Sequence, residues 1–89
     1  MHYLLFYDYV ADVLTKRAPF RPAHLDLARG FSAGRKLKLA GAYTDPVDGA
    51  LFVFTSRAAA EEFVSRDPYV ANGLVTAHRI REWNVVIGA

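Results

Sequence analysis

Apolar residues follow two spacings along this chain, a two-residue alternation typical of strands and a three-to-four-residue spacing typical of helices. HYLLFYDYV near the start and ALFVFT past the middle are dominated by aromatic and large aliphatic residues, as strands are. KLKLAGAY alternates Lys36 and Lys38 with Leu37 and Leu39, which indicates a half-exposed strand. In chain order, the predicted strands are residues 2–9, 36–43, 50–55 and 74–88.

Helices are predicted between these strands from their starting residues. Pro22 suits the first turn of a helix, where a missing backbone N–H costs nothing. Ser56 and Asp67 are N-cap candidates, and Asp67 is followed by a proline. The predicted helices are residues 22–34, closed by Gly34, residues 57–65, and a short turn from Pro68 to about Ala71, ended by Asn72-Gly73. Residues 10–20 are predicted to be an irregular connection, and TDPVDG to be the turn of a hairpin.

The order of elements is therefore β-α-β-β-α-β, made of two strand-helix-strand halves. This order predicts a ferredoxin-like α+β sandwich, in which two helices cover one face of a four-stranded antiparallel sheet. Eighty-nine residues give one domain, residues 1–89, because a chain this short has no room for a second core.

Both faces of the predicted sheet are apolar. In the first strand, Leu4 and Phe6 face one side while Leu5 and Tyr7 face the other. Two helices can cover only one face, so the other would expose more apolar area than the few hundred Å² usual for a monomer. We expect a second copy of the sheet to cover it, giving a two-fold homodimer with sheet packed on sheet.

Composition and charge exclude several classes of function. The formal net charge is only +2 and the basic residues are dispersed, so we expect no nucleic-acid partner. No apolar run approaches the roughly 18 residues of a membrane span, and the first ten residues lack the basic region of a signal peptide. The absence of cysteine fits a cytoplasmic location. Three dispersed histidines show no ligand spacing and cysteine is absent, so no metal is expected.

The sharpest chemical candidate is His24, in RPAHLDLARG. At the start of a predicted helix, the helix dipole disfavours a positive ring, and nearby Arg17 and Arg21 would act in the same direction. Both effects favour the neutral imidazole, which is the form that accepts a proton. The alternative is an ordinary surface histidine in the first turn of a helix.

Asp67 is the candidate partner of that imidazole. It would accept a hydrogen bond from one ring N–H and leave the other nitrogen as the base, although the alternative is that Asp67 only caps a helix. Arg17 and Arg21 are candidates for binding an anionic substrate, or else lie in a solvated loop. Tyr7, with Tyr9, could line a pocket as a substrate-binding residue, or pack in the core.

Several motifs together resemble the YCII-like family. They are Arg17-x3-Arg21-x2-His24-Leu25, LAGAYTDP after the first helix, RDPYVANGLV and the final REWNVVIG, and they span essentially the whole chain. The resemblance implies a dimeric ferredoxin-like α+β barrel with a cleft centred on a His–Asp pair, here His24 and Asp67. The relatives that this resemblance implies include a dehydrochlorinase of chlorinated hydroxyquinols, and related dimeric α+β barrels include muconolactone isomerases and cofactor-free monooxygenases. The short TDPVDG hairpin departs from longer members, which carry an insertion there that can wall the cleft.

Two functions follow from these residues and this resemblance. The first is a cofactor-independent enzyme in which His24 and Asp67 transfer a proton, for elimination or isomerisation of a small aromatic-derived or unsaturated acid. The second is a non-catalytic dimer that binds a small ligand or serves as an accessory subunit. A dimerisation domain with a vestigial pocket is a third reading.

Overall fold

A computed structural model describes residues 1–88 of the chain, and its sheet has the predicted architecture. The strands are β1 (His2–Tyr9), β2 (Leu37–Ala42), β3 (Gly49–Phe54) and β4 (Val75–Trp83). The helices are α1 (Val13–Lys16), α2 (Arg21–Ala33), α3 (Arg57–Arg66) and α4 (Pro68–Ala71). The four strands are antiparallel in the order β2-β3-β1-β4, so the prediction of a ferredoxin-like α+β fold is confirmed.

Two segments differ from the prediction. The connection between β1 and α2 contains the short helix α1, which buries Val13 and begins after Asp12, whose φ is 63°. The last strand ends at Trp83 rather than continuing to residue 88. Trp83 pairs with His2, the first residue of β1, so the chain beyond Trp83 has no partner strand in that direction.

The predicted helix caps are confirmed at both N-termini. The Ser56 Oγ accepts a hydrogen bond from the backbone N–H of Ala59 at 3.1 Å, and the Asp67 carboxylate accepts one from the N–H of Tyr69 at 2.9 Å. Gly34 ends α2, but the left-handed residue at that end is Arg35, with φ of 61°. Both side-chain caps flank α3 and therefore fix where the chain enters and leaves that helix.

A bulge in β2 changes the predicted alternation. Leu37 pairs with Phe54 and Leu39 pairs with Val53, so Lys38 has no opposite residue. Leu37 and Leu39 consequently face opposite sides of the sheet, and their exposed fractions are 6% and 71%. The expectation that both leucines share one face is wrong because the bulge inserts one residue between them.

The core lies between the helices and one face of the sheet. Phe63 of α3 is at its centre, with its ring 5.0 Å from that of Phe52 and 5.4 Å from that of Phe31. Ten buried residues form the core cluster: Leu5, Tyr7, Phe31, Leu37, Ala50, Phe52, Phe54, Ala59, Ala60 and Phe63. The other face, which we call the open face, carries Leu4, Phe6, Leu39, Leu51 and Trp83. In the part of the chain described, none of the helices has the length and apolarity needed to cross a membrane.

Candidate active site

A buried carboxylate joins three elements of the fold. Asp67 lies between α3 and α4 and is 1% exposed. Its Oδ1 is 2.8 Å from the His24 Nδ1 and accepts the Tyr69 backbone N–H at 2.9 Å, and its Oδ2 accepts the Tyr7 hydroxyl at 2.7 Å. A buried charge is tolerated only when it is well paired, and these three contacts supply that pairing. The predicted meeting of His24 and Asp67 therefore occurs, although the two are 43 positions apart.

The same contacts orient the imidazole. Because an ionised carboxylate only accepts hydrogen bonds, the Asp67 contact assigns the ring hydrogen of a neutral His24 to Nδ1 and leaves the lone pair on Nε2. One face of the ring is stacked on Tyr69, with centroids 3.8 Å apart and planes 2° from parallel. The rings of Phe52 and Phe63 approach edge-on at 6.1 and 6.0 Å. His24 is thus held on several sides, which is the arrangement that a directed general base requires.

His24 lines a cavity of about 230 Å³ beside α2 and the sheet. Its polar wall comprises Tyr9, Arg17, Arg21, His24 and Tyr69, and its apolar wall includes Leu25, Ala28, Ala40 and Phe52. Asp67 is not on the wall but behind the imidazole. A small molecule in this cavity would therefore meet His24 and not the carboxylate that orients it.

The two predicted arginines both lie on the cavity wall. Within residues 1–88, neither Arg17 nor Arg21 takes part in an ion pair, and no carboxylate lines the cavity. Unpaired guanidinium groups on a concave wall attract an anion and can bind a carboxylate or phenolate through parallel hydrogen bonds. The cavity is consequently suited to a negatively charged ligand.

Tyr7 does not occupy the predicted position. It is fully buried and lies behind Asp67, outside the cavity, because its strand position points into the core. Burial, followed by the Asp67 charge and hydrogen bond, raises the pKa of the Tyr7 hydroxyl far above its usual value of 10.0. Tyr7 therefore stays protonated and donates a hydrogen bond to Asp67. It supports the carboxylate from behind and does not face a ligand in the cavity, as the sequence had suggested it could.

Tyr9 does line the cavity, as one reading of the sequence expected. Burial raises the pKa of its hydroxyl, and neighbouring Tyr69 and Asp67 act in the same direction, while Arg17 and Arg21 oppose them. The Tyr9 hydroxyl thus remains a neutral donor on the wall at physiological pH.

Sequence reasoning missed Tyr69. This residue is 1% exposed and lines the cavity, and its hydroxyl has no hydrogen-bond partner among the described residues. Its position two residues after the predicted cap was the available signal, since the cap contact ties the Tyr69 backbone to Asp67. Within residues 1–88, no three His, Asp or Glu side chains form a group that could hold a metal ion.

The family model for the YCII-related domain matches residues 1–84. No curated protein matches the sequence.

Solved structures share the fold at low sequence identity. The 5-chloro-2-hydroxyhydroquinone dehydrochlorinase of Burkholderia phenoliruptrix, solved with 2,5-dihydroxybenzoquinone, superposes with a TM-score of 0.77 at 21% identity, covering 94% of each chain. A NIPSNAP domain protein from Burkholderia xenovorans gives 0.57 at 13% identity, covering 99% of this chain and 98% of that one. SnoaB, a cofactor-independent oxygenase from Streptomyces nogalater, gives 0.51 at 13% identity, covering 99% and 96%. At these identities the likeness establishes the fold.

Proposed function

The chain belongs to the YCII-related domain family, and we propose that it is a cofactor-independent enzyme that transfers a proton on a small anionic substrate. The observation that carries the proposal is the 2.8 Å contact between the His24 Nδ1 and the buried Asp67 carboxylate, at the wall of a cavity bearing two unpaired arginines. The contact leaves Nε2 as the nitrogen available for proton transfer.

In the proposed reaction, His24 Nε2 removes a proton from a carbon next to a carbonyl or a leaving group. Asp67 holds the ring in position and stabilises the imidazolium that forms, as in other orienting carboxylate–histidine pairs. Arg17 and Arg21 bind the negative charge of the substrate and of the enolate-like intermediate. Return of the proton to another carbon gives isomerisation, and loss of an anionic leaving group gives elimination.

The size of the cavity supports a substrate with a single ring. An apolar cavity of about 150 Å³ holds benzene, so about 230 Å³ accommodates one six-membered ring with oxygen substituents. The dehydrochlorinase from Burkholderia phenoliruptrix acts, by its name, on such a ring. A chlorinated or hydroxylated single-ring acid, lactone or quinol is therefore the substrate class that we propose.

The test is replacement of His24 by Ala, assayed with a panel of chlorinated and hydroxylated aromatic lactones and quinols. We expect turnover to fall by about 10²- to 10⁴-fold, the usual contribution of a positioned acid-base group. The matched control is His78→Ala, because His78 is an exposed histidine on β4, outside the cavity. If the wild type binds members of the panel through His24 but turns over none of them, the protein is a ligand-binding module and the proposed reaction is wrong.

We also propose that the protein is a homodimer whose subunits meet through the open face of the sheet. The helices cover only the opposite face, where the core cluster lies. On the open face, Leu39 is 71% exposed and Trp83 is 45% exposed, beside the partly buried Leu4, Phe6 and Leu51. A second copy of the same surface is self-complementary about a two-fold axis and would remove this apolar area from water.

A further inference from the structure

Tyr69 has a hydroxyl that nothing in the described chain satisfies. The residue is 1% exposed, and its Oη is shielded from solvent without a hydrogen-bond partner in residues 1–88. The proposed reaction, as stated above, does not use it. Buried hydroxyls nearly always have a partner, because burying an unpaired donor costs free energy. A phenylalanine would fill the same space without that cost, so the hydroxyl needs an explanation.

The position of Tyr69 is fixed by the same carboxylate that orients the base. Asp67 Oδ1 accepts both the Tyr69 backbone N–H and the His24 Nδ1–H. The two rings lie face to face at 3.8 Å, and both line the cavity. The phenol and the imidazole are therefore held as one unit, so a ligand that reaches the base also lies beside the Tyr69 ring.

We infer that the Tyr69 hydroxyl donates a hydrogen bond to a ring oxygen of the substrate and is a further catalytic residue. The inference rests on the proposed function and narrows it. The substrate carries a keto oxygen on the carbon adjacent to the one that loses its proton to His24. Arg17 and Arg21, also on the wall, bind another oxygen of the substrate, which is negatively charged. The substrate class is thus a single planar ring with at least two oxygen substituents.

The step balances without any further reactant. The substrate C–H bond breaks, and its proton passes to the His24 Nε2. The electron pair of that bond forms a carbon–carbon double bond, and the carbonyl π pair moves to the oxygen, which becomes an enolate. The hydrogen bond from Tyr69 strengthens as that oxygen gains charge, so it stabilises the transition state more than the ground state.

The experiment compares wild type with Tyr69→Phe, which keeps the ring that stacks on His24 and removes only the hydroxyl. The probe is 2,5-dihydroxybenzoquinone, a single ring with four oxygens, with affinity measured by calorimetry and apo stability by urea unfolding. The control is Tyr3→Phe, since the Tyr3 hydroxyl donates to Glu82 at an exposed position. We expect the affinity of Tyr69→Phe for the probe to fall by about 10- to 100-fold, the contribution of one hydrogen bond to a charged group. The apo stability of Tyr69→Phe should equal or exceed that of wild type. Tyr3→Phe should leave the affinity for the probe unchanged.

Three outcomes would overturn the inference. Equal affinity of wild type and Tyr69→Phe for the probe would refute it and leave the proposed function intact. A loss of apo stability larger in Tyr69→Phe than in Tyr3→Phe would show that the hydroxyl already has a partner within the protein. Failure of wild type to bind the probe or any member of the single-ring panel would refute both this inference and the proposed function.

Discussion

At the residue scale, Asp67 performs two tasks with one side chain. It caps α4 through the Tyr69 N–H and orients His24 through Nδ1. A cap requires an acceptor at the first backbone donors of a helix, and orientation requires an acceptor at a ring N–H. A carboxylate meets both requirements at once, so the two alternatives posed for Asp67 in the sequence are compatible.

Tyr7 supplies the third contact of Asp67, and this contact predicts a pH dependence. The pKa of Tyr7 is raised in the folded protein above its unfolded value of 10.0. The unfolded chain therefore releases this proton first, and the free energy of unfolding decreases as the pH rises above about 10. Below about pH 10 the protonated Tyr7 hydroxyl makes its full contribution to the free energy of unfolding.

We expect Tyr7→Phe to lose about 1–3 kcal/mol of stability near neutral pH, because one oxygen of buried Asp67 loses its donor. The variant should also lose less stability than wild type between about pH 9 and about pH 11. Urea unfolding across this range measures both effects, with Tyr43→Phe as the control at a position that is 39% exposed. If the free energy of unfolding decreased equally with pH in Tyr7→Phe and in wild type over this alkaline range, the prediction would be wrong.

At the element scale, the β2–β3 hairpin depends on a glycine. Gly49 begins β3 opposite Asp8, and a Cβ added there would overlap the Tyr7 carbonyl oxygen and lie 2.8 Å from the Tyr43 ring. Only a residue without a side chain allows the hairpin to approach β1 this closely. This approach also sets the register of β3, which contributes Phe52 to the cavity wall.

Gly49→Ala is expected to destabilise the protein by about 1–3 kcal/mol, because the backbone that it would overlap cannot rotate away. Gly41→Ala is the matched control, since Gly41 is also a strand glycine but has nothing within 4 Å of an added Cβ. Urea unfolding of both variants checks the prediction. Equal stability of the two would show that the hairpin adjusts freely.

At the scale of the whole molecule, the open face exposes apolar side chains, Leu39 and Trp83 among them. The bulge at Lys38 turns Leu39 onto that face, where it joins the apolar side chains of β1 and β3. Arg79 of β4 also lies there, 4.7 Å above the Phe6 ring. A surface this apolar is best explained by contact with another subunit, and the proposed partner is a second copy.

Leu39→Glu tests the proposed dimer by placing a charge on the open face. We expect wild type to sediment as a dimer at micromolar concentration and Leu39→Glu to shift toward monomer, because burial of an unpaired carboxylate is unfavourable. Leu14→Glu is the control, as Leu14 is 55% exposed on α1, which is not part of the sheet. A monomeric wild type at this concentration would contradict the proposal, and so would a Leu39→Glu dimer of unchanged affinity.

The elements themselves were largely predictable because their signals are local. Ser56 and Asp67 marked helix starts, Pro22 marked the first turn of α2, and the aromatic run marked β1. The presence of α1 and the end of β4 at Trp83 were not predicted, because both depend on tertiary contacts. α1 depends on the burial of Val13, and β4 ends where β1 has no further residue to pair with. Neither condition appears in the local spacing of residues.

The fold, the family and the candidates His24, Asp67, Arg17 and Arg21 could be predicted from the sequence alone, because propensity, capping and motif spacing are properties of neighbouring residues. The contact between His24 and Asp67 depends instead on tertiary packing, of α2 against α4. Tertiary packing also places Tyr7 behind the carboxylate and Tyr69 on the cavity wall. Distances between residues that are far apart in sequence are set by how the layers pack, and no local pattern encodes them.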